Sequence, residues 1–233
     1  MHPISAVLID AGRVLIHPDD THFQRAAHHV GVPLPAGTGP RALGHTVWES
    51  ARSPDPIAFW NTDAKIAAWS RHAGLTTAAG NAVWHHVHHL DRTDTPLWSQ
   101  VEPTAAVALR ALTAAGYRVA VVSNNDGRLH RQLTTAGLAD SCTAIIDSAV
   151  LGTAKPDPAI FHHAAALLDV PPAACLMIGD DPFFDIHAAI NAGIRHTILI
   201  DHDQHRPPSW TSNAAPTIGA AAEAIIRSAM TDR

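Results

Sequence analysis

Four short stretches carry side chains whose types suit phosphate chemistry: Asp10, Ser123 with Asn124, Lys155, and Asp180 with Asp181 and Asp185. Carboxylates gathered in one place repel by about 4 kcal/mol per pair at ~4 Å under an effective dielectric of ~20, and a divalent cation removes that penalty. Oxygen-only ligands favour Mg2+, which keeps several waters and leaves room for a phosphate oxygen. Lys155, the Ser123 hydroxyl, backbone N–H groups after the first strand and helix N-termini would complete a phosphate cradle. Between metal and lysine, Asp10 is the group placed to attack phosphorus and form an aspartyl-phosphate. The lysine is informative because the chain has 14 arginines and only two lysines, Lys65 and Lys155. A Lys in such a composition suggests a need for a compact ammonium donor instead of a planar fork, although solvated surface lysines are common.

The elements that must position these groups follow from the apolar pattern. Ile4-Ser5-Ala6-Val7-Leu8-Ile9 is a run rich in Ile, Val and Leu that ends on Asp10, as expected of a strand buried on both faces in a parallel sheet. An Asp at such an end also serves as a turn former or helix cap, so the rest of the chain has to support a chemical role. From Pro103 a strict alternation sets in: helix Pro103–Ala115, strand Arg118–Val122, helix Gly127–Ala136, strand Thr143–Ile146, helix Ala159–Asp169, strand Cys175–Ile178, helix Pro182–Ala192, strand Thr197–Ile200 and a last helix over about Thr217–Met230. That rhythm predicts right-handed βαβ units and an α/β, Rossmann-like parallel sheet. Ligands bind such sheets at the carboxyl ends of the strands, where the four stretches fall. Asp181-Pro182 with Gly193, and Asp157-Pro158, are helix start and stop signals.

Residues 17–98 interrupt this rhythm. They read as helices Asp20–Val30, Arg41–Ala51, Pro56–Ala73 and Thr76–Asp91 with no clear strand, and hold five of the six tryptophans. The domain division is therefore 1–16 with 99–233 as the core and 17–98 as an inserted α-helical domain with its own aromatic core. His85-His86-Val87-His88-His89 puts positions 85 and 89 on one helical face, but with no carboxylate or Cys beside them it reads as a solvated face. The Pro-rich His205–Pro208 reads as a surface loop.

Composition narrows the function classes. With 46% hydrophobic and 16% charged residues, a net charge of −5 and no basic run, the chain is expected to be a globular protein that binds no nucleic acid. No run of 18 apolar residues predicts a membrane span, and the N-terminus enters a strand with no leader pattern ahead of it. Cys142 and Cys175 define neither a disulfide framework nor a zinc site, so a reducing, cytoplasmic setting is expected. Monomer and homodimer both stay open.

Val7-Leu8-Ile9-Asp10, Val119–Asn124, Lys155–Phe161 and Met177–Asp185 together resemble the haloacid dehalogenase-like superfamily, in its order and spacing over the whole core. The resemblance implies a Mg2+-dependent phosphatase acting on a small phosphorylated metabolite. It implies Asp10 as nucleophile, Ser123 and Lys155 on the phosphoryl group, and Asp10, Asp180 and the Gly12 carbonyl on Mg2+, with Asp185 or Asp181 supporting. Asn124, Gly12 and His17 are the further candidates at the substrate. It also implies that 17–98 is a cap that closes over the site. One departure stands out: the family's phosphatases usually carry a second Asp two residues after the nucleophile as general acid and base, and here that residue is Gly12. General acid–base help is worth about 10²–10⁴-fold. His17, a cap histidine, a leaving group of low pKa or substrate assistance could replace it. Two rival readings stay open: a binding or regulatory protein that keeps the pocket without turnover, and a metal-independent 2-haloacid dehalogenase.

Overall fold

A computed structural model describes residues 3–93, 95–202 and 213–231, and the chain divides into two compact units, Met1–Ile16 with Val101–Arg233, and His17–Gln100. The strands are β1 (Ala6–Ile9), β2 (Ile16–Pro18), β3 (Trp98–Val101), β4 (Arg118–Ser123), β5 (Ala144–Asp147), β6 (Cys175–Gly179), β7 (His196–Ile200) and β8 (Asn213–Ala215). Six of them form one sheet in the order β5-β4-β1-β6-β7-β8, with every neighbouring pair parallel. This is the α/β fold the alternation predicts.

β1 is central, and all four of its residues are fully buried. Its unbroken apolar run has a simple cause: both faces are covered. Ala6 and Leu8 join Ala120, Val122, Met177, Ile160 and Phe161 in one core, while Val7 and Ile9 alternate to the opposite face. Ile160 and Phe161 come from the helix Pro158–Leu167, whose N-cap Asp157 accepts a hydrogen bond from the Ala159 N–H (2.9 Å). Cys142 and Cys175 are free, and burial pushes both thiols up to about 11, as suits packing and not redox chemistry.

Among the described residues, the second unit holds the helices Asp20–His29, Thr38–Ala51, Pro56–Asn61, Ala64–His72 and Thr77–Thr93. Its core gathers Phe23, Trp69, Val83 and Val87, with Trp60, Trp84 and Trp98 packed against it. Phe23 stacks on Trp69 at 5.6 Å, and Trp84 meets both edge-on at 5.4 Å. These aromatic side chains pack into the unit's own core, as the sequence suggests. The histidine run also lies as expected, with His85, His88 and His89 exposed.

Several elements differ from the sequence expectation. The single helix expected over 56–73 breaks at Thr62, which is extended (φ −123°, ψ 179°). The polar Asn61-Thr62-Asp63 supplies the break, because such side chains compete with helical backbone bonds, and Thr62 Oγ1 accepts from the Ala64 N–H (3.3 Å). Residues 17–98 are not strand-free: β2 and β3 pair where the chain enters and leaves the second unit. β2, like β8, has only three residues, too few to show a period, and β3, Trp98–Val101, is polar-rich and mostly exposed, so it lacks the apolar run of a core strand. The helix expected over 182–192 begins as a wider π-turn, Pro182–His187, before Ala188–Asn191 turns α-helical. The loop expected at His205–Pro208 lies outside the described residues. Among the described residues, no helix is long and apolar enough to cross a membrane.

Candidate active site

The sheet register assembles the site. Ile9 lies opposite Val121 on one side and Ile178 on the other, and the Asp10 N–H donates to the Ile178 carbonyl (2.9 Å). Asp10, Ser123 and Asp180, each one to two residues past those positions, therefore leave the sheet at the same carboxyl edge. All three are buried.

Lys155 joins them. Its Nζ donates to Asp10 Oδ1 and to Asp185 Oδ1, both at 2.6 Å. The lysine's own backbone is clamped by Asn124, whose Nδ2 donates to the Lys155 carbonyl (2.9 Å) while its Oδ1 accepts the Lys155 N–H (2.8 Å). Asn124, expected at the substrate, thus commits its side chain to holding the lysine loop. Residues absent from the sequence reading build the neighbouring loop. Asp147 accepts from the N–H groups of Gly127 (3.1 Å), Leu129 (3.1 Å) and Ala149 (3.0 Å). Ser148 Oγ accepts the Asn125 N–H (3.1 Å), and Asn125 Nδ2 donates to Gln132 Oε1 (2.9 Å).

The two acids after Asp180 separate in role. Asp181 caps the π-turn, its Oδ1 accepting from the N–H groups of Phe183 (2.8 Å) and Phe184 (3.0 Å). Asp185 turns back to the sheet edge, where its Oδ2 accepts the Asp181 N–H (3.0 Å). Asp10, Asp180 and Asp185 then present oxygens that all lie within 4.8 Å of one another. Arg13, which the sequence reading passed over, reaches the same cluster: its Nε donates to Asp180 Oδ2 (2.8 Å). Its position in the turn straight after Asp10 and Gly12 was the signal available. Gly12 sits in that turn, bridged to Ile16, and His17 lies in β2, within the helical unit.

Electrostatics in this cluster are dominated by lost hydration. Burial pushes Asp180 up to about 7, with Arg13 opposing and the Asp10 and Asp181 charges adding to the rise. Burial does the same to Asp185, also to about 7, against the pull of Lys155. Burial alone would lower Lys155, but Asp10 and Asp185 outweigh it and hold the ammonium above the usual lysine range. Three buried carboxylates with all-oxygen donors that are costly to ionise together fit a hard divalent cation such as Mg2+.

The sequence model of the haloacid dehalogenase-like hydrolases matches residues 2–193. The chain belongs to that family. Among its relatives in the family is a phosphoglycolate phosphatase of Cupriavidus necator, 31% identical over 197 residues, which cover 82% of this chain and 79% of that one. Several other curated relatives match over a shorter stretch, so that the chain spans about two fifths of their length. Solved structures share the fold. The HAD-hydrolase YfnB of Bacillus subtilis, bound to magnesium, has a TM-score of 0.64 at 14% identity, covering 96% of this chain and 99% of that one. A 2-haloacid dehalogenase of Pseudomonas syringae has a TM-score of 0.57 at 20% identity, with 96% and 99% covered. A family fold that hosts both chemistries leaves the choice to the site.

Gly179 shows how tightly the family's acidic cluster is packed. A Cβ there would meet Asp185 Cγ and Oδ2 at 2.3 Å, because Asp185 folds back over the end of β6. Gly179→Ala is therefore expected to displace the Asp185 carboxylate and to destabilise the protein by about 1–3 kcal/mol. Thermal melting checks it; a Tm equal to that of the natural protein would contradict this packing.

Proposed function

We propose that the protein is a Mg2+-dependent phosphatase that cleaves a small phosphomonoester through a phosphorylated Asp10. The observation that carries this reading is the lysine bridge: Lys155 holds Asp10 and Asp185 while Asp180 lies against them. With Oδ1 of Asp10 bonded to Lys155, the other carboxylate oxygen is the one to attack phosphorus. The new Asp10 O–P bond forms as the ester P–O bond breaks, and the leaving alkoxide takes a proton from solvent water. Water then attacks the phosphorus of the aspartyl-phosphate, its proton passing to solvent, and phosphate departs as the Asp10–P bond breaks and the carboxylate is restored. Lys155 balances charge in both steps, and the Ser123 hydroxyl, at the end of β4, is the donor proposed for a phosphoryl oxygen. Asp10, Asp180, Asp185 and the Gly12 carbonyl would hold the Mg2+, whose chemistry when bound is to neutralise the phosphoryl oxygens and the acidic cluster.

The phosphatase relative that spans most of both chains supports phosphoryl transfer over dehalogenation. So does the site, since a dehalogenase works without metal and the uncompensated acidic cluster would then repel its carboxylate substrate. Gly12 favours a second reading, a phosphate- or Mg2+-binding protein without turnover, because no acid or base stands two residues after Asp10. In the catalytic reading the helical unit acts as a cap that selects the substrate, which its insertion after the first strand and its own aromatic core support. A reducing, cytoplasmic setting with no nucleic-acid or membrane partner belongs to the same proposal, supported by two free cysteines.

The test is phosphate release from p-nitrophenyl phosphate as Mg2+ and pH are varied. Because Asp180 and Asp185 sit near 7 and not at the ordinary 3.8, Mg2+ must displace protons below neutrality. Apparent Mg2+ affinity should fall as pH drops through about 7 and level off above it. In the metal-free protein the stability from these raised carboxyl groups is full below their unfolded pKa and lost as pH rises through about 7. The Mg2+-induced rise in Tm should therefore grow with pH. Chloride release from 2-chloropropionate without metal would replace this reading by the dehalogenase, and Mg2+ binding without turnover would replace it by the binding protein.

A further inference from the structure

Arg13 adopts a left-handed backbone conformation (φ 56°), which is uncommon for a residue other than glycine and calls for surroundings that hold it there. Its N–H donates to the Ile16 carbonyl (2.7 Å), and its carbonyl accepts from His202 Nε2 (2.5 Å). Held this way, the backbone sends the side chain back toward the nucleophile's edge of the sheet. There Nε donates to Asp180 Oδ2 at 2.8 Å, with the two side chains only 12% and 9% exposed. The guanidinium thus occupies an oxygen of one of the three carboxylates suited to a metal ion. Of the three carboxylates, Asp10 and Asp185 are bonded to Lys155, and Asp180 to Arg13.

We propose that Arg13 is a built-in competitor for the divalent cation. Its guanidinium neutralises Asp180 in the metal-free protein and, when Mg2+ binds, either gives up that oxygen or tolerates a divalent charge beside it. The inference rests on the reading of Asp10, Asp180 and Asp185 as a Mg2+ site and adds its regulation: affinity for the metal is set below what the carboxylates alone would give. Lys155 does not share this part, because its two bonds go to Asp10 and Asp185 and leave Asp180 to Arg13.

Calorimetric titration of MgCl2 into the metal-stripped full chain tests it, comparing the natural protein with Arg13→Asn, since Asn tolerates the left-handed region. Arg13→Gly serves if the Asn variant does not fold, because glycine adopts this φ freely. Removing a cation this close to a ligand in a poorly hydrated site should tighten Mg2+ binding about tenfold or more. The metal-free variant should also melt lower than the natural protein, since Asp180 stays buried without a counter-charge, and Mg2+ should raise its Tm by more. An equal Mg2+ affinity, with Tm lowered alike in both metal states, would mean that Arg13 only braces the turn, and would overturn the proposal while leaving the metal site standing. Absence of Mg2+ binding in every variant would overturn the metal site and the competitor together.

Discussion

Asp10→Asn is expected to abolish phosphate release, by a factor of about 10⁴ or more, as removal of a covalent nucleophile does elsewhere. The amide is nearly isosteric, so the fold should persist: the Asp10 N–H bond to Ile178 is a backbone bond and survives the change. What disappears is the anionic oxygen that bonds to phosphorus, together with half of the charge facing Lys155. The ammonium keeps Asp185 at 2.6 Å, so it is not left without a partner. Steady-state assays on p-nitrophenyl phosphate, with circular dichroism as the folding control, check the result. Residual activity within tenfold of the natural protein would mean that another group attacks phosphorus.

Lys155→Met should have the second-largest effect, and on two quantities at once. The lysine side chain is 3% exposed and separates two carboxylates that are themselves nearly buried. Deleting one member of a buried ionic network costs about 3–5 kcal/mol, because the partners stay behind without compensation. Metal-free Lys155→Met should therefore melt well below the natural protein, and Mg2+ should restore part of the loss. Turnover should fall about 10³-fold even with saturating Mg2+, since a preorganised cation next to developing phosphoryl charge is worth several kcal/mol. Lys155→Arg should not rescue it: a planar guanidinium cannot place one nitrogen between Asp10 and Asp185 as a compact ammonium does. Full activity in Lys155→Arg would show that only charge is needed there.

The parallel sheet was legible in the chain because buried strands of four to six residues alternate with helices that carry proline at the start and glycine past the end, as at Pro182 and Gly193. Asp10, Ser123, Lys155, Asp180 and Asp185 were legible for a related reason: each ends, or shortly follows, one of those strands or turns, so the topology alone predicts that they share an edge. What stayed hidden depends on contacts that no periodicity records. The use of Asn124 as a clamp on the Lys155 backbone is visible only as a pair of hydrogen bonds across 31 positions. Asp181 and Asp185 could not be told apart until the π-turn showed which one caps and which one folds back over Gly179. Arg13 was overlooked because an arginine in a turn reads as solvated, whereas its backbone conformation aims it inward. The strands β2 and β8 were missed because three residues show no pattern, and β3 because its four residues are polar-rich and mostly exposed, unlike the apolar run of β1.

The measurement that bears most directly on this account is mass spectrometry of the protein quenched in acid during turnover of an aryl phosphate, with and without Mg2+. The account predicts one phosphoryl group on the peptide that contains Asp10, formed only with the metal present and absent from Asp10→Asn. Phosphate release that proceeds with no adduct on that peptide, or an adduct that forms equally well after the metal has been chelated, would contradict it.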